Sequence, residues 1–353
     1  MPKNLFYYRL RTLVVISLLW LAFGIVFYFN LIKPSNDLGV RVSIYQFSFT
    51  FGLIGLIITS ILIFYLKPAF HHYPVWVSTL MKLFIIAALF FVIVFILLMI
   101  YFFVHYRNTL EHYFHSFFTK IVYTNTFSNF IVDLAVMTMV SIISLEITDK
   151  YGPGMFWSML SGEYLKPKIE NRIFIFLDIN ESTSIAEQLG HEVYFRMLRD
   201  FFNDVTIAVL ANEGAIYQYV GDEIVVSWLN TPDNKIRSLK FIRNTFFLLE
   251  RKSKRYLRHY GISPSFKAGI HAGEVTAGFI GIVKRELIYC GDTINTASRI
   301  RSMCNELNES FVMSEDFMAG FQQLPGYEIQ KIGTIEIKGR SEPVKLFSLK
   351  LES

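Results

Sequence analysis

Two aspartates stand where a folded chain seldom tolerates charge. Asp178 closes the apolar run Ile173 to Leu177, and Asp222 lies in Val220-Gly221-Asp222-Glu223, between two runs that read as paired strands, Ala215–Val220 and Ile224–Trp228. Burying an unpaired carboxylate costs on the order of several kcal/mol, so some cation must offset each. Two carboxylates converging from neighbouring strands suit divalent metals, and Mg²⁺ held by few carboxylates usually also touches substrate phosphates. Gly-Asp is also an ordinary turn dipeptide. On these two residues alone, metal ligands and solvated turn carboxylates are equal alternatives.

A second constellation lies further along. Asn295 and Arg299 are four residues apart on a helix that opens at Gly291-Asp292, so they share one face. An amide beside a guanidinium suits a ribose and a transferring phosphoryl group, since Arg presents a rigid fork of donors. Taken alone, the pair reads more simply as an exposed helix face. Lys338, in Ile337-Lys338-Gly339-Arg340, is placed on a turn from which it could reach terminal phosphates. A solvated turn is the plainer reading of that segment.

In this order, Phe176-Leu177-Asp178-Ile179, Val220-Gly221-Asp222-Glu223, Gly269-Ile270-His271-Ala272-Gly273 and Gly291-Asp292-Thr293-Ile294-Asn295-Thr296-Ala297-Ser298-Arg299 resemble the class III nucleotidyl cyclases. The likeness runs over about residues 171–350 and is to the membrane-anchored bacterial type. It implies that Asp178 and Asp222, with the backbone carbonyl of Ile179, hold two Mg²⁺ or Mn²⁺ ions per active site. It implies that Asn295 and Arg299 orient the ribose and stabilise the transition state, and that Lys338 binds phosphate. It also implies a homodimer in which one protomer supplies the metal ligands and the other the Asn/Arg pair. The implied reaction makes 3′,5′-cyclic AMP and pyrophosphate from ATP.

Base selection is the weak point of the resemblance. Gln218 stands where adenylate cyclases carry lysine and guanylate cyclases glutamate, and Ile288 stands at the partner position. An amide both donates and accepts, so Gln218 suits either purine, while Ile288 offers only packing. ATP is favoured because neither position carries a guanine-type residue. Glu181-Ser182 replaces the Gly-Phe pair common in the phosphate loop. The alternatives are a guanylate cyclase and an inert, cyclase-like membrane receptor. A diguanylate cyclase is disfavoured by Val220, where it needs glycine, and by the Asn295/Arg299 helix.

These groups must be positioned by a chain of two characters. Mean hydropathy is +0.39 and 53% of the 353 residues are hydrophobic, more than a soluble protein carries. The excess lies in runs 12–32, 44–65, 81–104 and, more weakly, 127–147, each about 20 residues and long enough to cross a bilayer. Residues 1–149 therefore read as a transmembrane domain in the lipid bilayer, 150–170 as a Gly/Pro-containing connector and 171–353 as the catalytic domain. Lys3, Arg9 and Arg11 before the first run, with Lys67 and Lys82 flanking the second loop, put the N-terminus inside. Four spans then return the catalytic domain to the cytoplasm of a multi-pass protein of the cell (inner or plasma) membrane. Asp133 in the fourth run is a functional candidate by its location. His105, His112 and His115 in the outer loop are spaced only loosely for a ligand set. The first run is not a cleaved signal. Two cysteines, Cys290 and Cys304, make neither a disulfide framework nor a zinc site. The net charge of +5 forms no basic stripe, which argues against nucleic acid as a partner.

In the soluble half, Ser182 or Thr183 is expected to cap one helix running from Ile185 to Val209. A strand Ser265–Ile270 is expected to turn at His271-Ala272-Gly273 into a second, near Val275–Ile280, and a last strand pair is expected at Tyr327–Lys331 and Thr334–Ile337. Alternating strands and helices predict a mixed sheet with helices on one face. The predicted fold class is an α-helical transmembrane half followed by an α+β, ferredoxin-like cyclase domain.

Overall fold

The computed structural model describes residues 3–37, 43–70, 73–106, 119, 123, 125–151, 158, 161–283, 285–321, 326–335 and 343–351. Residues 152–157, 159 and 160 of the expected connector, together with His112, His115 and Lys338, lie outside them. The chain divides into two compact units, Phe6–Tyr151 and Gly152–Ser353.

The first unit is helical. It comprises α1 (Lys3–Asp37), α2 (Ile44–Ile61, continued by a π-helical stretch Leu62–Leu66), α3 (Val75–Tyr106) and α4 (Asn125–Tyr151). Four stretches are long and apolar enough to cross a membrane: Leu5–Phe29, Ile44–Phe70, Val75–Ile93 and Phe127–Thr148. Trp20 is fully buried and donates from Nε1 to the Ser141 hydroxyl at 2.8 Å. Gly55 makes room for it, since a Cβ there would come within 2.2 Å of the indole. Small residues at helix contacts and polar groups bonded across them are how helices associate in lipid. Asp133 is buried in α4.

The third apolar stretch begins at Val75, ahead of the expected 81, and this changes the reading of Lys82. Lys82 is not a loop charge. It is buried in α3 with its ammonium 3.5 Å from Glu146 of α4, so its partner is a carboxylate of the bundle rather than water.

The second unit is built on one eight-stranded sheet. Its strands are β1 (Lys168–Ile179), β2 (Ala215–Val220), β3 (Glu223–Leu229), β4 (Phe266–Ile280), β5 (Glu286–Cys290), β6 (Phe311–Ser314), β7 (Tyr327–Ile335) and β8 (Val344–Leu351). The order is β2-β3-β1-β4-β6-β8-β7, with β5 on β4, and every pairing is antiparallel except β4 with β6. Among the described residues the sheet is accompanied by α5 (Ser182–Leu189), α6 (His191–Ala211), α7 (Pro232–Tyr260), α8 (Asp292–Glu306) and the single turn α9 (Glu315–Met318).

Strand β1 is central and buried on both faces. Ile173, Ile175, Leu177 and Ile179 pack with Phe201, Val205 and Val209 of α6 and with Leu239 and Ile242 of α7. Phe174 and Phe176 face the other way, toward Val225, Val275, Tyr289 and Ala297 of α8. Helices therefore cover both faces, not one. Gly269 is the reason α8 fits: a Cβ there would lie 2.2 Å from the backbone nitrogen of Arg301.

Three local expectations also change. The long helix is broken at Gly190, whose φ of +74° and ψ of 159° are not helical, giving α5 and α6. His271-Ala272-Gly273 is no turn but the middle of the fifteen-residue strand β4. Gly273 is needed there because Thr293 Oγ1 would meet its Cβ at 2.6 Å, and His271 is buried with Nδ1 2.7 Å from the Ser314 hydroxyl. The expected strand pair 327–331 and 334–337 is, as far as Ile335, the single strand β7, with an irregularity between Lys331 and Gly333.

Candidate active site

Alternation along β1 puts Asp178 on the same face as Phe174 and Phe176, the face that α8 covers. Its neighbours in register are Glu223 on β3 and Lys267 on β4. Asp222 occupies the two-residue turn joining β2 to β3, which Gly221 makes possible with a φ of +61°. The turn folds Asp222 back onto the end of β1, where its carboxyl group raises the pKa of Asp178. The two predicted aspartates are thus brought together, beside the backbone of Ile179.

Two further side chains complete the cluster. Arg301, on α8, places Nη1 3.1 Å from Asp178 Oδ2 and Nε 2.7 Å from Glu223 Oε2. Ser182, at the start of α5, pulls the Asp222 carboxyl down. Ser182 is not the helix cap. Glu181 holds that position, with φ +53° and no side-chain capping bond, which leaves the Ser182 hydroxyl to the aspartate. The left-handed backbone at 181 explains why glycine suits this place.

The electrostatics follow from crowding. Burial, then the hydrogen bond with Asp222, raises the Asp178 carboxyl to about 7 despite the Arg301 guanidinium. Burial pushes Asp222 the same way, but hydrogen bonds from Ser182 and from Asp178 outweigh it and its pKa falls. The two carboxyls therefore titrate as a pair, Asp178 pushed up and Asp222 pushed down. Burial also raises Glu223, against the pull of Arg301.

This is a donor set for a hard cation: carboxylate oxygens in excess of the guanidinium that offsets them, at the end of a rigid strand. Among the described residues, no three His, Cys, Asp or Glu side chains form a ready-made metal cage. An ion with few protein ligands fits Mg²⁺ completed by substrate oxygens rather than a closed structural site.

Of the other predicted residues, Lys338 lies outside those described, and Asn295, Arg299, Gln218 and Ile288 stand on α8, β2 and β5. Thr293, Thr296, Ala297, Ile300 and Cys304 form the buried side of α8. Asn295 and Arg299 are exposed on its other side, one turn apart as expected. Gln218 is exposed on β2 beside a bulge between Ile216 and Gln218. Ile288 is half-buried on β5, opposite Gly278. Their neighbours Tyr217 and Tyr289 touch, with ring centroids 5.0 Å apart. Arg301, Glu223 and Ser182 escaped the sequence reading. Arg301 did leave a signal, as a cation beside Ile300 on the apolar stripe of α8.

The family described as the adenylate and guanylate cyclase catalytic domain matches residues 165–350. The chain belongs to that family. Adenylate cyclase 2 of Rhizobium meliloti (strain 1021) is 33% identical over 211 residues, which are 59% of this chain and 58% of that protein. Adenylate cyclase 1 of the same organism is 28% identical over 181 residues, 50% of this chain and 27% of that protein. The chain thus spans well under two thirds of either relative. A solved bacterial light-regulated adenylyl cyclase superposes on the cyclase fold with a TM-score of 0.51, at 16% identity, over 63% of this chain and 66% of its own. The motifs Asp178, Asp222 and Asn295–Arg299 all fall inside the matched cyclase domain.

Proposed function

We propose that this chain is a membrane-anchored adenylate cyclase that converts ATP to 3′,5′-cyclic AMP and pyrophosphate in a homodimer. The observation that carries the reading is the convergence of Asp178 and Asp222 on one spot, where each carboxyl group perturbs the other. Residues 1–149 are the membrane domain, 150–170 the connector and 171–353 the catalytic domain, held on the cytoplasmic side. Any regulation by the membrane domain would act through the connector.

Asp178 and Asp222, with the Ile179 carbonyl, hold two Mg²⁺ or Mn²⁺ ions. When bound, these lower the pKa of the ribose 3′-hydroxyl and offset the charge of the departing pyrophosphate. The hydroxyl oxygen bonds to the α-phosphorus as the bond to the bridging oxygen of the β-phosphate breaks. Asp178 is the carboxylate placed to accept the hydroxyl proton. Arg299 offsets charge on the α-phosphoryl oxygens and Asn295 orients the ribose. Exposure of both on α8, off its buried side, supports their use by a partner copy. Lys338 binds phosphate, and Gln218 and Ile288 contact the base. Similarity to curated adenylate cyclases supports ATP as the nucleotide.

The test is product formation by the purified full chain in detergent, given ATP or GTP with Mg²⁺ or Mn²⁺, beside Asp222→Ala. Cyclic AMP from the parent and none from the variant is expected. Cyclic GMP alone would overturn the choice of base, and neither product from a folded dimer would overturn the enzyme.

A further inference from the structure

Arg301 raises a question that the metal reading leaves open: a guanidinium already sits against a carboxylate that is to bind an ion. Its place is not adjustable by backbone movement, because α8 is seated on Gly269 at the level of Arg301 itself. The side chain bridges two acids of different strands, with Nη1 3.1 Å from Asp178 Oδ2 and Nε 2.7 Å from Glu223 Oε2. Side-chain exposure is 18% at Asp178, 10% at Glu223 and 23% at Arg301, so solvent screens this cluster only in part. The shorter contact is to the more buried acid.

We propose that Arg301 is a positioning residue that competes with the divalent ion for Asp178, and that Glu223 restrains it from doing so. An ion approaching Asp178 Oδ2 meets the guanidinium on that oxygen. Glu223 keeps hold of Nε while Nη1 lets go, so the guanidinium yields Asp178 without becoming an unpaired buried charge. Glu223 thus acts on the ion through Arg301. This inference rests on the proposed metal role of Asp178 and Asp222.

General charge effects would also tighten ion binding on loss of Arg301, so a charge-preserving variant is decisive. Arg301→Lys keeps the charge but lacks the fork that reaches two carboxylates at once. Its ammonium should stay with Glu223, the closer and more buried acid, leaving Asp178 free.

The experiment is Mn²⁺ binding to the full chain in detergent without nucleotide, followed by loss of the free-ion EPR signal. Arg301→Lys and Arg301→Gln should each bind Mn²⁺ about tenfold more tightly than the parent, and Glu223→Gln about tenfold more weakly. Arg301→Lys binding like the parent would overturn the competition. Glu223→Gln binding as tightly as the parent, or more tightly, would overturn the restraint, and that outcome stands even should the arginine variants fail to fold. A merely structural role would weaken binding in all three. Asp222→Ala separates the two levels: if the parent binds no more Mn²⁺ than Asp222→Ala, the metal site itself fails, and this inference with it.

Discussion

The carboxyl groups of Asp178 and Asp222 meet across the gap between the end of β1 and the β2–β3 turn, each shifting the other's titration. Two acids in contact are a liability to a fold and an asset to a metal site. Asp222→Asn removes the like charge and keeps the shape and a hydrogen-bonding group. We expect the metal-free variant to melt no lower than the parent while cyclase activity falls at least ~100-fold. Thermal unfolding and a cyclic AMP assay on one preparation check both halves.

Gly269 lets α8 carry Arg301 to Asp178 and Glu223. In Gly269→Ala a Cβ would lie 2.2 Å from backbone nitrogen, which no rotamer change relieves. A loss of about 1–3 kcal/mol is expected, together with loss of activity. Gly221→Ala meets nothing within 4 Å and carries only the strain of its φ of +61°. It should cost about 1–2 kcal/mol. The measurement is the shift in unfolding midpoint of each variant against the parent.

Glu181 carries the opposite defect, a side chain where the backbone is left-handed, with φ +53°. Glu181→Gly should stabilise the domain by up to about 1 kcal/mol, the relieved strain being partly offset by glycine's greater freedom when unfolded. A melting midpoint below that of the parent would show that the Glu181 side chain contributes more than its strain costs.

The two thiols should differ sharply. Cys290 is exposed, whereas burial pushes Cys304 from 9.0 up to about 12. The folded state favours the neutral thiol of Cys304. Its contribution to stability is therefore complete below pH 9 and is lost as the pH rises toward 12. A thiol reagent at pH 8 should label one cysteine per folded chain and the second only on unfolding. Rapid labelling of both would contradict the burial of Cys304.

Much of this site was legible because its signals are local. The apolar runs ending at Asp178 and flanking Asp222 are strand signals, and the four-residue spacing of Asn295 and Arg299 is a helix signal. What escaped depends on residues distant in sequence. Gly273 looked like a turn, but its missing side chain accommodates Thr293 of α8. Lys82 looked like a loop charge, but Glu146 holds it inside the bundle. Arg301 finds Glu223 seventy-eight positions away, which no short-range pattern encodes. Gly190 is different in kind: a lone glycine in an amphipathic run is compatible with an unbroken helix, and only its backbone angles reveal the break.

The claim that Asp178 and Arg299 act from different copies of the chain is open to direct measurement. Asp178→Ala and Arg299→Ala, each purified alone, should be nearly inactive. Mixed and allowed to exchange subunits, half the dimers would be hybrids with one intact site of two, restoring about a quarter of parental cyclic AMP formation. No product from a mixture whose differently tagged chains demonstrably co-purify would contradict a site shared between protomers.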